Sequence, residues 1–161
     1  MANVIFSDLG HQPLSIRAGR FETGALAFSD KRRLSISPYE IYDFAFPGGA
    51  PLSDTRTGIE VAGSLPYRIR LEAGWVNGAG TDDDSPADLY VRATHVIGAG
   101  EGQTAGHRVG LMGYFGKARQ EVSSGPADRE TITRLGMDAS LCFQQANVAL
   151  QYVRGTDDRA L

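Results

Sequence analysis

The sequence predicts an all-β protein: an antiparallel up-and-down meander of about seven to eight strands, forming a transmembrane β-barrel or a segment of a larger one. Three observations carry that expectation. Apolar residues recur at every second position through successive segments, the period of a strand and not of a helix. Glycine is abundant, at 20 residues, and scattered without a three-residue period, as turns, bulges and curved strands require. Short and long connections alternate along the chain, as they do in a meander whose long loops share one rim.

The elements follow in order. NVIF near the N-terminus reads as the stub of a strand. LSIRAGRFE (14–22) sets Leu14, Ile16 and Ala18 against Ser15, Arg17 and Gly19. TGIEVAGSLPYRIRLEAGWVNG (57–78) carries two apolar sets, Ile59 to Leu65 and Ile69 to Trp75, all odd-numbered. Both sets lie on one face only if the turn between them has odd length. A three-residue turn, Pro66-Tyr67-Arg68, pairs Leu65 with Ile69 and Ile59 with Trp75. A third hairpin spans 88–117, with Leu89, Val91 and Ala93 and then Val109, Leu111 and Phe115 on the apolar side. It is less regular, because His95 falls on the apolar face and Val96 and Met112 on the other. In TITRLGMDASLCFQQANVALQYVRG (131–155), a two-residue turn at Gln144-Gln145 pairs Leu141 with Val148, Ala139 with Leu150 and Met137 with Tyr152. The long polar connections are 23–56, 78–88 and 118–130.

Composition narrows the classes. The 161 residues suit a single domain, 1–161, and 42% hydrophobic with 22% charged residues argues against disorder. A net charge of −3 gives no basic excess for nucleic acid. Cys142 is the only cysteine, so there is no internal disulfide framework and no CxxC site for metal or haem. No run approaches the ~18 apolar residues of a membrane helix. The N-terminus shows neither the basic nor the apolar region of a signal peptide.

Alternation alone fits two opposite architectures. A soluble barrel turns its apolar face inward; an outer-membrane barrel turns it outward to lipid. Strands of about nine to eleven residues, loops long at one rim only, and Trp75, Phe115, Phe143 and Tyr152 at strand ends on the apolar face favour the membrane arrangement.

The combination LSIRAGRFETGALAFSDKRRLSISPY, GIEVAGSLPYRIRLEAGWVNGAGTDD and HRVGLMGYFGKAR resembles Gram-negative outer-membrane porins of the phosphate-selective (O/P) kind, over residues 13–155. The resemblance implies a transmembrane barrel, often trimeric, that passes solutes across the cell outer membrane without being an enzyme and without a cofactor. Such porins have about sixteen strands. This chain has about half that number, shows no signal peptide, and ends in TDDRAL where such barrels carry a terminal aromatic. The expectation is therefore a segment of a larger barrel; the rival is a complete eight-stranded barrel whose signal has been cut away.

On the membrane reading the wet face carries Arg17, Arg70, Arg92, Arg108 and Arg134 against Glu60, Glu72 and Asp138. These are the expected pore-lining residues. Guanidinium groups along a water-filled pore attract anions and stay charged at any relevant pH. The competing expectation is that these arginines pair with the acids across strands and fill a narrow barrel. The long connection is expected either to fold into the lumen, with Lys31, Arg32 and Arg33 at a constriction, or to stand as a solvated charge cluster outside the cell. Expected partners are outer-membrane lipid, small anionic solutes, and either a homo-oligomer (a trimer) or the remainder of the barrel.

Other chemistry finds no support. His11, His95 and His107 lack metal-ligand spacing, Asp82-Asp83-Asp84 lacks the order of an EF-hand, and GAGEGQTAG is no phosphate-binding loop. Two alternatives to a channel stay open: a small membrane barrel serving as anchor, adhesin or sheath of an electron-transfer conduit, and a soluble calycin-like barrel around an apolar ligand.

Overall fold

Period-two patterning, turn residues at matching parity and the near-absence of helix signals produce one eight-stranded antiparallel sheet. The structure is a computed structural model that describes residues 2–7, 9, 13–25, 55–77, 86–98, 106–120, 128–143 and 147–158. The strands are β1 (Asn3–Phe6), β2 (Leu14–Glu22), β3 (Thr55–Leu65), β4 (Ile69–Asn77), β5 (Pro86–Ile97), β6 (His107–Gln120), β7 (Asp128–Cys142) and β8 (Asn147–Asp158). Each pairs only with its neighbours in sequence, β1 through β8.

The registers are those that the parity of the apolar residues requires. Leu65 stands opposite Ile69 and Ile59 opposite Trp75. Leu141, Ala139 and Met137 stand opposite Val148, Leu150 and Tyr152. A one-residue slip in either hairpin would put a whole apolar set on the wrong face. Pro66–Arg68 forms a single 3-10 turn in which Tyr67 (φ 63°) and Arg68 (φ 60°) adopt the left-handed region without being glycine. That conformation is costly for both residues, and the hairpin register on either side holds them in it.

Three connections are shorter than the alternation indicates. β3 begins at Thr55, inside the expected loop 23–56; β5 begins at Pro86, inside 78–88; and β6 and β7 run to Gln120 and from Asp128, inside 118–130. The reason is visible in composition. GKARQ and DRETI carry polar residues at both parities. Where a strand leaves the apolar layer, neither face must be greasy. The ladder continues, but the periodicity that reveals it from sequence is gone.

Burial divides the sheet by parity. The apolar face is exposed: Met137 is 56% and Leu150 58% accessible, with Leu71, Leu111, Leu135, Trp75 and Tyr152 exposed beside them. The polar face is buried over its middle, where Arg92 is 6% and Arg134 2% accessible, and open toward the short-turn rim. Tyr90, Tyr114, Met112, Val76, Phe21 and Ala25 form a small core on that same inward side. A calycin-like barrel requires the reverse, with leucines inside and arginines outside.

Candidate functional site

The inward face is a packed layer of charged and aromatic side chains. Near its centre, Arg17 Nη2 lies 2.7 Å from Glu60 Oε1, and the Arg17 guanidinium stacks 4.2 Å above the Phe21 ring. Tyr90 donates its hydroxyl proton to Glu60. Arg92 Nη2 donates to Asp138 Oδ2 at 2.6 Å across two strands, and Nη1 donates to the Ala25 carbonyl at 3.0 Å. Toward the long-loop rim, Tyr114 donates to Asp88, and Arg134 donates to the Thr133 and Thr156 carbonyls at 3.0 and 3.3 Å. Toward the short-turn rim, Arg70 Nε lies 2.8 Å from Glu72 Oε1.

Cross-strand glycines make room for this layer. Gly74 stands opposite Tyr90, and the tyrosine ring occupies the space a Cβ at Gly74 would fill. Gly110 stands opposite Asp138, and a Cβ there would lie 2.6 Å from both Arg92 Nη2 and Asp138 Oδ2. Large polar side chains thereby lie flat against the sheet. Gly74→Ala is expected to cost about 1–3 kcal/mol through overpacking against the Tyr90 ring. Urea unfolding followed by Trp75 emission measures it; an effect within experimental error would show that the ring has free space to move into.

All eight residues expected to line a pore fall at inward-facing positions, but they are not equivalent. Arg92, Arg134, Glu60 and Asp138 are buried, Arg17 and Glu72 partly so, and Arg70 and Arg108 are exposed at the short-turn rim. Ion pairs on this face include Arg17–Glu60, Arg70–Glu72 and Arg92–Asp138. Lys31, Arg32 and Arg33 lie outside the described residues. The first residues of the same connection are described: Thr23 and Ala25 are buried, and Gly24 packs against the carboxylates of Glu60 and Glu72. The chain leaving β2 thus folds across the inward face.

Sequence reasoning overlooked Arg56, Asp88, Tyr90 and Tyr114. Arg56 and Asp88 had been assigned to loops. The tyrosines carried no assigned role, yet each bonds a carboxylate. The signal for Tyr90 was available: the β4–β5 register places it opposite Gly74. With these residues counted, the inward side chains include six arginines (17, 56, 70, 92, 108, 134) and four carboxylates (Glu60, Glu72, Asp88, Asp138), and the acidic residues Asp128, Glu130 and Asp157 occupy strand positions on the same register toward the long-loop rim.

Among the described residues, no group of three or more His, Cys, Asp or Glu side chains is placed to hold a metal ion. Cys142 Sγ lies 4.0 Å from Ser140 Oγ, and the Cys142 backbone N–H donates to His107 Nδ1 at 3.2 Å. No family model matches the chain, and no curated protein or solved structure does either. The porin resemblance therefore stands on residue patterns alone.

Proposed function

We propose that this chain is the wall of an outer-membrane β-barrel, or part of one, whose inward face borders a passage for small solutes with a preference for anions. The observation that carries the reading is the inversion of faces: leucines, Trp75 and Met137 outward, arginines and carboxylates inward. In water, so continuous an exposed apolar face is a liability. In lipid it is the required surface.

The shape of the apolar band supports the same reading. At the long-loop border it ends at Ala18 on β2, at Trp75 and Phe115 in the same hydrogen-bonded row, at Leu135 one outward residue lower on β7, and at Tyr152 one lower again on β8. At the other border it ends at Leu14 on β2 and, two outward residues further down, at Leu141 and Val148. The band keeps its width while drifting four residues over six strand steps. At ~3.4 Å per residue and ~4.8 Å per strand that is a slant of about 25° to the ladder. A membrane plane crossing tilted strands produces such a slant.

The two sheet edges, β1 and β8, are not paired with each other. In hydrocarbon each unpaired amide is expensive, so the barrel is completed by strands added at these edges, from a second copy or from further strands of the same wall. The guanidinium groups of Arg17, Arg56, Arg92 and Arg134 on the inward face are the basis of the anion preference. Because Arg17, Arg70 and Arg92 are held in ion pairs and acidic residues share the register, the preference is modest. Reconstitution of the protein in a planar bilayer tests it: conductance with an anion-favouring reversal potential is expected, and a cation-selective pore would overturn it. Quenching of Trp75 emission by bromine on lipid chains tests the membrane face itself; an unquenched Trp75 would remove the basis of the proposal.

A second reading has its own observation. Residues 23–25 and the Arg92–Asp138 and Tyr90–Glu60 contacts fill the inward face. That favours a closed barrel acting as anchor, adhesin or sheath, and it forecasts no conductance in the same bilayer.

A further inference from the structure

Among the strand arginines whose side chains are described, two lie on the outward register; Arg119 and Arg129 occupy that register too, opposite each other near the ends of β6 and β7. Arg20 on β2 stands opposite Thr57, and Arg154 on β8 stands opposite Leu135, which puts both on the outward register. Both are exposed. Each is the next outward residue past the apolar band at the long-loop border, Arg20 after Ala18 and Arg154 after Tyr152. The neighbouring outward positions in that border are Thr57, Asn77 and Thr133, which are uncharged, and Lys117 on β6, a further cation. The outward-register acid nearest Arg20, Glu22, is buried. At the opposite border, near Leu65, Ile69, Ile97 and Val148, the described strands carry no arginine on the outward register, and the one arginine there, Arg68, lies in the turn between Leu65 and Ile69.

We propose that Arg20 and Arg154 bind the phosphate groups of anionic lipid headgroups in the leaflet at the long-loop rim. The inference rests on the membrane reading above. A guanidinium just past an aromatic-bordered apolar band sits at headgroup depth, where it is well placed for a forked contact to phosphate. Among the residues whose side chains are described, no exposed acid lies beside either arginine on this face. The asymmetry between borders assigns the anionic leaflet to one side of the sheet. The ligand is lipid and not free phosphate because the two arginines flank a surface that only acyl chains cover.

The test uses full-length protein in phosphatidylcholine vesicles containing either brominated phosphatidylcholine or brominated phosphatidic acid. Trp75 is the only tryptophan and lies outward at the same border, two strands from Arg20. Tyr152→Trp in a Trp75→Phe background places a second detector beside Arg154. At low salt, phosphatidic acid is expected to be enriched about fivefold over phosphatidylcholine at each detector. Arg20→Gln should abolish the enrichment at Trp75, and Arg154→Gln at position 152, while the Lys variants retain most of it. Quenching by brominated phosphatidylcholine without any preference for phosphatidic acid would overturn the headgroup site and leave the membrane reading standing. No quenching by either lipid would overturn both. Loss of the preference on adding millimolar inorganic phosphate, at constant ionic strength, would assign the site to the free anion and overturn the lipid proposal.

Discussion

Asp138→Ala is expected to destabilise the folded protein by about 3–5 kcal/mol, because it leaves the Arg92 guanidinium buried without its counter-charge. Both side chains of this pair are almost fully covered, and Arg92 Nη2 meets Asp138 Oδ2 at 2.6 Å. Arg92 has other acceptors, the Ala25 carbonyl and the Thr94 hydroxyl, but these are neutral and cannot replace a carboxylate. The double substitution Arg92→Leu with Asp138→Leu should cost far less than the sum of the single ones, since it removes both charges together. Equilibrium urea unfolding in lipid vesicles, read by Trp75 emission, measures all four corners of the cycle. The result also bears on function. If water of an open lumen reaches the pair, the loss falls toward the ~0–1 kcal/mol of a solvated ion pair. A small loss would favour the open channel, and a large one the closed, filled barrel.

Leu111→Arg is expected to cost about 2–4 kcal/mol, the penalty for a guanidinium on the lipid face near the bilayer midplane. Leu111 is 63% accessible and lies in the middle of β6, between Val109 and Phe115 on the outward face. In a water-soluble protein an exposed leucine tolerates such a change within about 0.5 kcal/mol. The same substitution therefore separates two solvents for one surface. Leu111→Ala serves as the control for lost apolar area, since it removes methyl groups without adding charge. A Leu111→Arg protein as stable as the parent in vesicles would place this face in water and remove the channel proposal with it.

Much of the architecture was legible because strand pairing obeys parity. An odd turn at 66–68 and an even one at 144–145 follow from nothing more than the numbering of Leu65, Ile69, Leu141 and Val148, and the ladder has those registers. Parity also placed Arg17, Arg70, Arg92, Arg108 and Arg134 on one face with Glu60, Glu72 and Asp138. The ends of β3, β5, β6 and β7 were not legible, because polar residues at both parities carry no periodicity. Arg56 and Asp88 were hidden for that reason, one at the start of β3 and one near the start of β5.

The pairing of charges was beyond the sequence as well. Arg92 and Asp138 are 46 residues apart and come from β5 and β7, with β6 between them. They meet because Gly110, on the intervening strand, has no side chain to hold them apart. Likewise nothing in TGA at 23–25 foretells that Ala25 will accept a hydrogen bond from Arg92. Such contacts depend on the curvature of the whole sheet and on which side chains it brings across the inward face.

By itself, then, the sequence determined the alternation, the turn parities, the meander order and which residues share a face, since a side-chain period of two is a local property of the extended chain. Only the tertiary structure decided which of those faces is buried and how its charges are partnered. Alternation is symmetric between inside and outside, and the choice is made by long-range packing: Tyr90 against Gly74, Arg17 against Glu60 and Arg92 against Asp138.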